Sequence, residues 1–164
     1  MSARTRRIVT RFMAVQYRIY NRLRPRSAFE AATRPGTATD FGSFRGHRQC
    51  LLVTFKRSGE PVPVPVNFGL LDDHTLYIRT EPRSAKVKRL ANDPHVRVCP
   101  CNFRGKPLRP MVDATARALP ESACTQAHEV IAQNWDLPSR FLERSLDRFG
   151  LEVVYLEVTC RPSA

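Results

Sequence analysis

A threonine, a serine and a lysine lie close together in the middle of the chain, at Thr80, Ser84 and Lys86. Thr80 ends a segment with the alternation of a strand, and Ser84 is placed to cap a short helix. A helix N-terminus carries free N–H groups and partial positive charge, to which a hydroxyl and an ammonium add donors. The pattern predicts a site for an anion such as a phosphate; the alternative is a solvated basic helix face.

Three prolines recur at every second residue, at Pro61, Pro63 and Pro65. Pro61 directly precedes the strand predicted at 62–71, and the other two lie within it. Since proline has no N–H, the missing donors all lie along one edge of the strand. That edge is expected to face solvent, a crossing loop or a ligand. An edge protected from aggregation and an edge that lines a ligand both remain open.

The other periodic segments indicate a mainly β domain. Besides 62–71, strands are predicted over 50–56, 75–80, 95–103, 112–119 and 151–159. Short helices are predicted from Ser84 and, with a break near Pro138, over 120–148. Six antiparallel strands with short peripheral helices predict a small barrel.

The amino-terminal part of the sequence differs in composition from the rest. Residues 1–45 are predicted to form a basic amphipathic helix and a linker, with one short helical turn near Phe29, and residues 46–164 to form the folded domain. The helix could pack on its own domain or a partner subunit. It could also lie on an anionic membrane, so peripheral membrane contact through residues 1–24 is an open prediction.

Charge and cysteine content exclude several classes of protein. Residues 1–48 hold eleven arginines against two acidic residues, which accounts for +9 of the formal net charge of +12. The rest of the sequence is therefore nearly neutral. Because a nucleic-acid-binding domain spreads basic residues over its folded surface, no nucleic-acid partner is expected. No stretch approaches the roughly 20 apolar residues of a membrane span, and no secretory leader is evident, which predicts a cytoplasmic protein. The five cysteines are then expected to be free thiols, and the spacing of Cys99 and Cys101 does not predict a metal site.

Several motifs together resemble the pyridoxamine-phosphate-oxidase-like split-barrel superfamily. They are V-P-V-P-V-N-F, L-Y-I-R-T-E-P-R-S-A-K-V-K-R-L, A-N-D-P-H-V-R-V and V-D-A-T-A-R, and the likeness covers about residues 46–160. Within the superfamily, the sequence is most similar to actinobacterial enzymes that use coenzyme F-420, a deazaflavin. The resemblance implies a six-stranded antiparallel split β-barrel of the FMN-binding type.

The resemblance also implies which residues bind the cofactor. In FMN-binding relatives a Thr, a Ser four residues on and a Lys two beyond contact the phosphate, and Thr80, Ser84 and Lys86 match them. Those relatives carry an Arg and a Lys on the preceding strand, where this protein has uncharged residues. This difference favours the deazaflavin, and the candidate ring contacts are Val64, Pro65, Val66 and Asn67.

The function implied is hydride transfer between F-420 and an electron-poor organic substrate, such as an unsaturated ketone, a quinone or a tetrapyrrole-like molecule. A homodimer is implied, with the cofactor in the groove between subunits and a small-molecule substrate over the exposed ring. No side chain is assigned as a catalytic acid or base, because the cofactor carries the reactive carbon. The alternatives are an FMN-dependent oxidoreductase of the same fold and a non-catalytic carrier of a cofactor, haem or another ligand.

Overall fold

The computed structural model describes residues 25–135 and 152–160. The amphipathic helix and the membrane contact predicted for residues 1–24 lie outside these residues. So does the part of the predicted helical region that follows Trp135, together with its break near Pro138.

The described residues form three α-helices, a short 3-10 turn and seven strands. In sequence order they are α1 Arg26–Thr33, the 3-10 turn Gly42–Phe44, β1 Gln49–Phe55, β2 Pro61–Asn67, β3 Gly69–Leu70, β4 Thr75–Thr80, α2 Ala85–Leu90, β5 His95–Pro100, β6 Val112–Ala118, α3 Glu121–Gln133 and β7 Val154–Cys160. The helical turn predicted near Phe29 is the eight-residue helix α1.

All seven strands belong to one sheet in the order β2-β1-β5-β6-β7-β4-β3, and every paired neighbour is antiparallel. The strands at the two ends of this order, β2 and β3, are separated in sequence only by Phe68. The sheet must therefore curl until its ends meet. The mainly β class with few helices is confirmed, and the curled sheet agrees with a split barrel.

The prediction of six strands is wrong, because the segment predicted as one strand at 62–71 divides at Phe68. β2 pairs with β1, whereas β3 pairs with β4 through Gly69 opposite Tyr77. The buried Phe68 ring enters the core at the division. Gly69 then lies against α3 so closely that a Cβ there would come within 2.5 Å of the Ile131 backbone nitrogen. Core burial and helix contact thus redirect the backbone, and the described residues contain seven strands.

The sheet order agrees with the prediction that the proline edge of β2 donates to no neighbouring strand. β2 is an end strand, and its ladder to β1 runs from Pro61 opposite Phe55 to Asn67 opposite Gln49. β3 covers one side of β4 only as far as Tyr77, and no ladder among the described residues joins β2 to β4, although the two strands are in contact. We call the junction between the proline edge and residues 78–80 the seam.

Apolar side chains fill both the inside and the outer face of the curled sheet. Val64 and Val66 point into the interior cluster, which also contains Phe41 and Phe44. Part of the predicted linker is therefore core, although the domain boundary at residue 45 stays a prediction. On the outer face α1 packs over β2, and its buried alanines, Ala28 and Ala32, share an apolar cluster with side chains of β1.

Asp113 fastens the segment after α1 to the sheet. Its carboxylate accepts hydrogen bonds from the Gly36 N–H at 2.8 Å and from Arg97 Nε at 3.0 Å, and His95 Nε2 lies 3.2 Å away. Arg97 also donates to the carbonyl of Ala32 at 3.0 Å. Burial alone would raise the pKa of the Asp113 carboxyl, but the hydrogen bonds outweigh it and lower that pKa.

Replacing Asp113 should therefore change how stability depends on pH. Because the pKa of Asp113 is lower in the folded than in the unfolded protein, its contribution is complete above about pH 5 and is lost as the pH falls through the folded value. Asp113→Asn should lower the free energy of unfolding by about 1 to 3 kcal/mol at neutral pH and by less in acid. Urea unfolding across pH measures this.

The matched control for that experiment is Asp73→Asn. Asp73 pairs with Arg45 at 2.6 Å, but the two side chains are 47% and 65% exposed. Solvent screening should limit the loss to less than about 1 kcal/mol. If both variants lost the same free energy of unfolding, Asp113 would not be the residue that fastens the segment after α1 to the sheet.

Candidate functional site

The connection between β4 and α2 holds the three predicted phosphate ligands. Thr80 is the last residue of β4 and is buried, and the turn that follows is closed by a hydrogen bond from the Ser84 N–H to the Glu81 carbonyl at 3.1 Å. Lys86, in the first turn of α2, is only 4% exposed. This burial argues against a solvated basic face at Lys86.

Ser84 occupies the capping position of α2, but its side chain makes no capping hydrogen bond. Its Oγ is buried and has no hydrogen-bond partner within the described part of the protein. A buried hydroxyl left without a partner costs about 1 to 3 kcal/mol, so such atoms call for an explanation. An anion bound beside Thr80 and Lys86 would supply the missing acceptor.

A second contact fixes the orientation of α2. Arg89 Nε donates to Oγ1 of Thr54 at 2.7 Å, and Thr54 is fully buried in β1. Burial lowers the pKa of Arg89. Sequence reasoning missed this bond, since Arg89 has the appearance of a surface residue and nothing in the local pattern connects it to a threonine 35 residues away.

The four predicted ring contacts on β2 do not share one face. The side chains of Val64 and Val66 are 8% exposed and belong to the interior cluster. Pro65 lies under the turn at Gly105, where a Cβ would come within 3.6 Å of its ring. Asn67 is exposed. A ligand on β2 would therefore meet its proline edge and Asn67 rather than the valine side chains.

Asn67 also lines a pocket of about 380 Å³ that the sequence did not predict. Several separate parts of the sequence meet there, and the described residues that line it are Gly46, His47, Arg48, Gln49, Asn67, Cys101, Phe103, Asn134 and Trp135. Asn134 Nδ2 donates to the carbonyls of His47 and Phe68 at 3.1 and 2.9 Å, which holds the end of α3 in place. We call this the Asn67 pocket.

The strand register places the Asn67 pocket and the Arg89 anchor of α2 toward opposite ends of β1. Asn67 pairs with Gln49 at the start of β1, whereas Arg89 anchors α2 at Thr54. Gln49 and Thr54 are five strand residues apart, or roughly 17 Å at the usual rise. The predicted site residues thus form two groups, which an extended ligand could join along β2.

Three of the five cysteines, Cys50, Cys99 and Cys101, are buried. All five cysteines are free, and burial raises the pKa of both Cys99 and Cys101 to about 12, which keeps them protonated. No group of three or more His, Cys, Asp or Glu side chains within residues 25–135 and 152–160 is placed to hold a metal ion. In the same residues, no helix has the length and apolar character needed to cross a membrane.

The sequence matches a family model described as pyridoxamine 5'-phosphate oxidase over residues 41–156. This range includes the β4–α2 connection, all of β2 and all the lining residues of the Asn67 pocket. None of the curated proteins matches it in sequence.

Solved structures with a similar fold come from several bacteria. An FAD-binding protein from Mesorhizobium loti is 19% identical, with a TM-score of 0.52 over 73% of this chain and 84% of that one. The heme storage protein of Vibrio cholerae is 15% identical, with a TM-score of 0.52 over 73% and 85%. A proposed 5-nitroimidazole antibiotic resistance protein from Bacteroides thetaiotaomicron is 16% identical, with a TM-score of 0.53 over 71% and 75%. At these identities the likeness shows the fold alone.

Replacing Thr54 should loosen α2 from the sheet. Thr54→Val keeps the shape of the side chain but leaves Arg89 Nε without its acceptor. We expect the free energy of unfolding to fall by about 1 to 3 kcal/mol, as for a part-buried charged donor that loses its partner. Urea denaturation measures the loss.

Thr115→Val is the matched control for Thr54→Val. The Thr115 hydroxyl lies 3.2 Å from that of Thr159, and both groups are neutral and half-buried. Its loss should be smaller, about 1 kcal/mol. If Thr115→Val lost as much free energy of unfolding or more, the bond between Arg89 and Thr54 would stabilise the protein no more than an ordinary neutral hydrogen bond.

Proposed function

The chain belongs to the pyridoxamine 5'-phosphate oxidase family, and we propose that it is an F-420-dependent oxidoreductase that reduces an electron-poor organic molecule. The observation that carries the proposal is the buried Ser84 hydroxyl, which has no partner among the described residues and lies on the same short connection as the buried Lys86 and Thr80. Together these side chains offer a phosphate two hydroxyl groups and an ammonium. Charge-assisted hydrogen bonds of this kind are among the strongest in proteins.

The character of β2 supports the deazaflavin over FMN. The strand Pro61–Asn67 has no cationic side chain, whereas the FMN-binding relatives that the sequence resembles have an Arg and a Lys in this region. The similarity to the actinobacterial F-420 enzymes points the same way.

In this proposal the protein positions the reactants and takes no chemical part through its side chains. When bound, the deazaflavin supplies a hydride, and a proton from solvent completes the two-electron reduction of the substrate. Thr80, Ser84 and Lys86 hold the phosphate, and Arg89 keeps α2 in register with the sheet. The proline edge and Asn67 face the ring and leave its other side open to the substrate.

A homodimer is part of the proposal, with the cofactor in the groove between two copies. Its support is the set of large apolar side chains that a single copy leaves partly exposed. Among the described residues these are Phe29, Leu71, Phe103, Leu108 and Val153. A dimer interface of ordinary size would cover several of them.

The proposal is tested by titrating the purified full-length protein with F-420, FMN and hemin side by side. We expect F-420 to bind at least about tenfold more tightly than FMN, a difference of about 1.4 kcal/mol. The reduced form of F-420 should then be oxidised in the presence of unsaturated ketones, quinones or nitroaromatic compounds. Calorimetry and deazaflavin absorbance measure the two properties.

Each of the other outcomes favours a named alternative. A protein that purifies yellow and prefers FMN would be the FMN-dependent enzyme, in line with the FAD-binding neighbour. Tight binding of hemin or F-420 without turnover across the panel would be a carrier, in line with the heme storage neighbour. Either result would refute the proposed F-420-dependent reductase activity.

Lys86→Ala should weaken F-420 binding by about 1 to 3 kcal/mol, the range for losing a charge-assisted hydrogen bond. Lys88→Ala is the matched control, because Lys88 is two residues away but exposed, and it should change binding by less than about 0.5 kcal/mol. Lys86→Met, which retains the apolar stem, should behave as Lys86→Ala does. If folded Lys86 variants bound F-420 with unchanged affinity, Lys86 would not bind the phosphate and the proposed phosphate site would be refuted.

A further inference from the structure

We propose that the Asn67 pocket binds the organic substrate, and that this substrate is a small planar anion with an N–H donor on its ring. This inference rests on the proposed function, because it assigns the pocket to the molecule that accepts the hydride. It concerns residues outside the phosphate group at Thr80, Ser84 and Lys86, and it is carried by the hydrogen bonding, shape and charge of the pocket.

The hydrogen bonding of Gln49 indicates a missing donor. Its Nε2 donates to Oδ1 of Asn67 at 3.3 Å, which fixes the amide. Its Oε1 is buried and has no partner among the described residues. Buried acceptors of this kind are normally satisfied, so a ligand N–H directed at Oε1 would complete the arrangement.

Two aromatic side chains and the volume indicate a small flat molecule. Trp135 and Phe103 line the pocket, and Phe103 is 61% exposed, which is unusual for so large an apolar side chain. A planar ring packed against them would bury this surface and gain aromatic contacts. The pocket volume of about 380 Å³ lies at the lower end of the range for small-molecule sites.

The charge around the pocket favours an anion. Arg48 is among the lining residues, and none of the described residues that line the pocket is acidic. The adjoining turn adds Arg104, whose guanidinium lies 5.3 Å from the centre of the Phe103 ring, and the exposed Lys106. Cationic surroundings with low-dielectric walls raise the local concentration of anionic ligands.

The position of the pocket fits a substrate rather than the cofactor phosphate. It lies at the Gln49 end of β1, roughly 17 Å from the Thr54 end, where Arg89 anchors α2. A cofactor with its phosphate at Lys86 would extend along β2 toward Asn67. The reacting carbon of a molecule in the pocket would then meet the ring end of that cofactor.

Three isosteric probes test the inference on the full-length protein. Pyrrole-2-carboxylate has the ring, the N–H and the negative charge; furan-2-carboxylate lacks the N–H, and pyrrole-2-carboxamide lacks the charge. Trp135 is the single tryptophan of the sequence and lines the pocket, so its fluorescence reports occupancy. We expect saturable quenching by pyrrole-2-carboxylate and about tenfold weaker binding of each of the other two probes.

The variant Gln49→Leu identifies the acceptor. It should abolish the preference for the pyrrole over the furan, while Lys88→Ala should leave that preference intact. If Gln49→Leu fails to fold, the comparison of the three probes in the unmodified protein still decides the matter. No saturable quenching, equal affinity for pyrrole and furan, or a preference unchanged in Gln49→Leu would overturn the inference.

A last measurement separates this inference from the proposed function. Calorimetry with pyrrole-2-carboxylate is repeated on protein already saturated with F-420, and the affinity should be retained. Competition between the two would assign the pocket to the cofactor and overturn the inference while leaving F-420 binding established. Absence of F-420 binding in the first titration would instead refute the proposed function.

Discussion

The lack of N–H donors along one edge of β2 determines how this barrel can close. An antiparallel ladder between β2 and β4 would need donors from Pro61, Pro63 and Pro65, and proline has none. Within the described residues the curled sheet therefore brings its ends together without a backbone ladder between β2 and β4. The seam that results is where a ligand can approach the backbone of the domain without breaking a ladder.

The two groups of candidate site residues are held in place by different means. The position of α2 depends on the bond between Arg89 and Thr54, and Lys86 in its first turn is buried. Beside Asn67, Asn134 ties α3 to the backbone of His47 and Phe68. Hydrogen bonds that hold side chains in place before a ligand arrives lower the entropic cost of binding.

Regular patterns made part of this architecture predictable from sequence. The proline spacing predicted an unpaired edge, and alternation gave the bounds of β4 because period-2 patterns have a direct physical cause. The division at Phe68 was not predictable, since it depends on the approach of α3 to Gly69. Burial of Phe41 and Phe44 was missed because the Gly, Ser and Thr around them resemble a linker.

The candidate site was predictable to the same degree and for the same reason. Thr80, Ser84 and Lys86 are close in sequence, so a local motif could reveal them. The bond from Arg89 to Thr54 and the pocket beside Gln49 join residues that lie far apart in sequence, and only the fold brings them together. The inward direction of Val64 and Val66 likewise follows from which face of β2 meets the core.

Phe68 gives the seam a mechanical property. Because one residue connects β2 to β3, the two edges of the sheet are covalently joined at that end and cannot move apart there. Toward Thr80, β2 and β4 lie close together, but no ladder joins them in the described part of the protein. Any widening of the barrel must then pivot about Phe68, with the largest displacement at the end where a phosphate would enter.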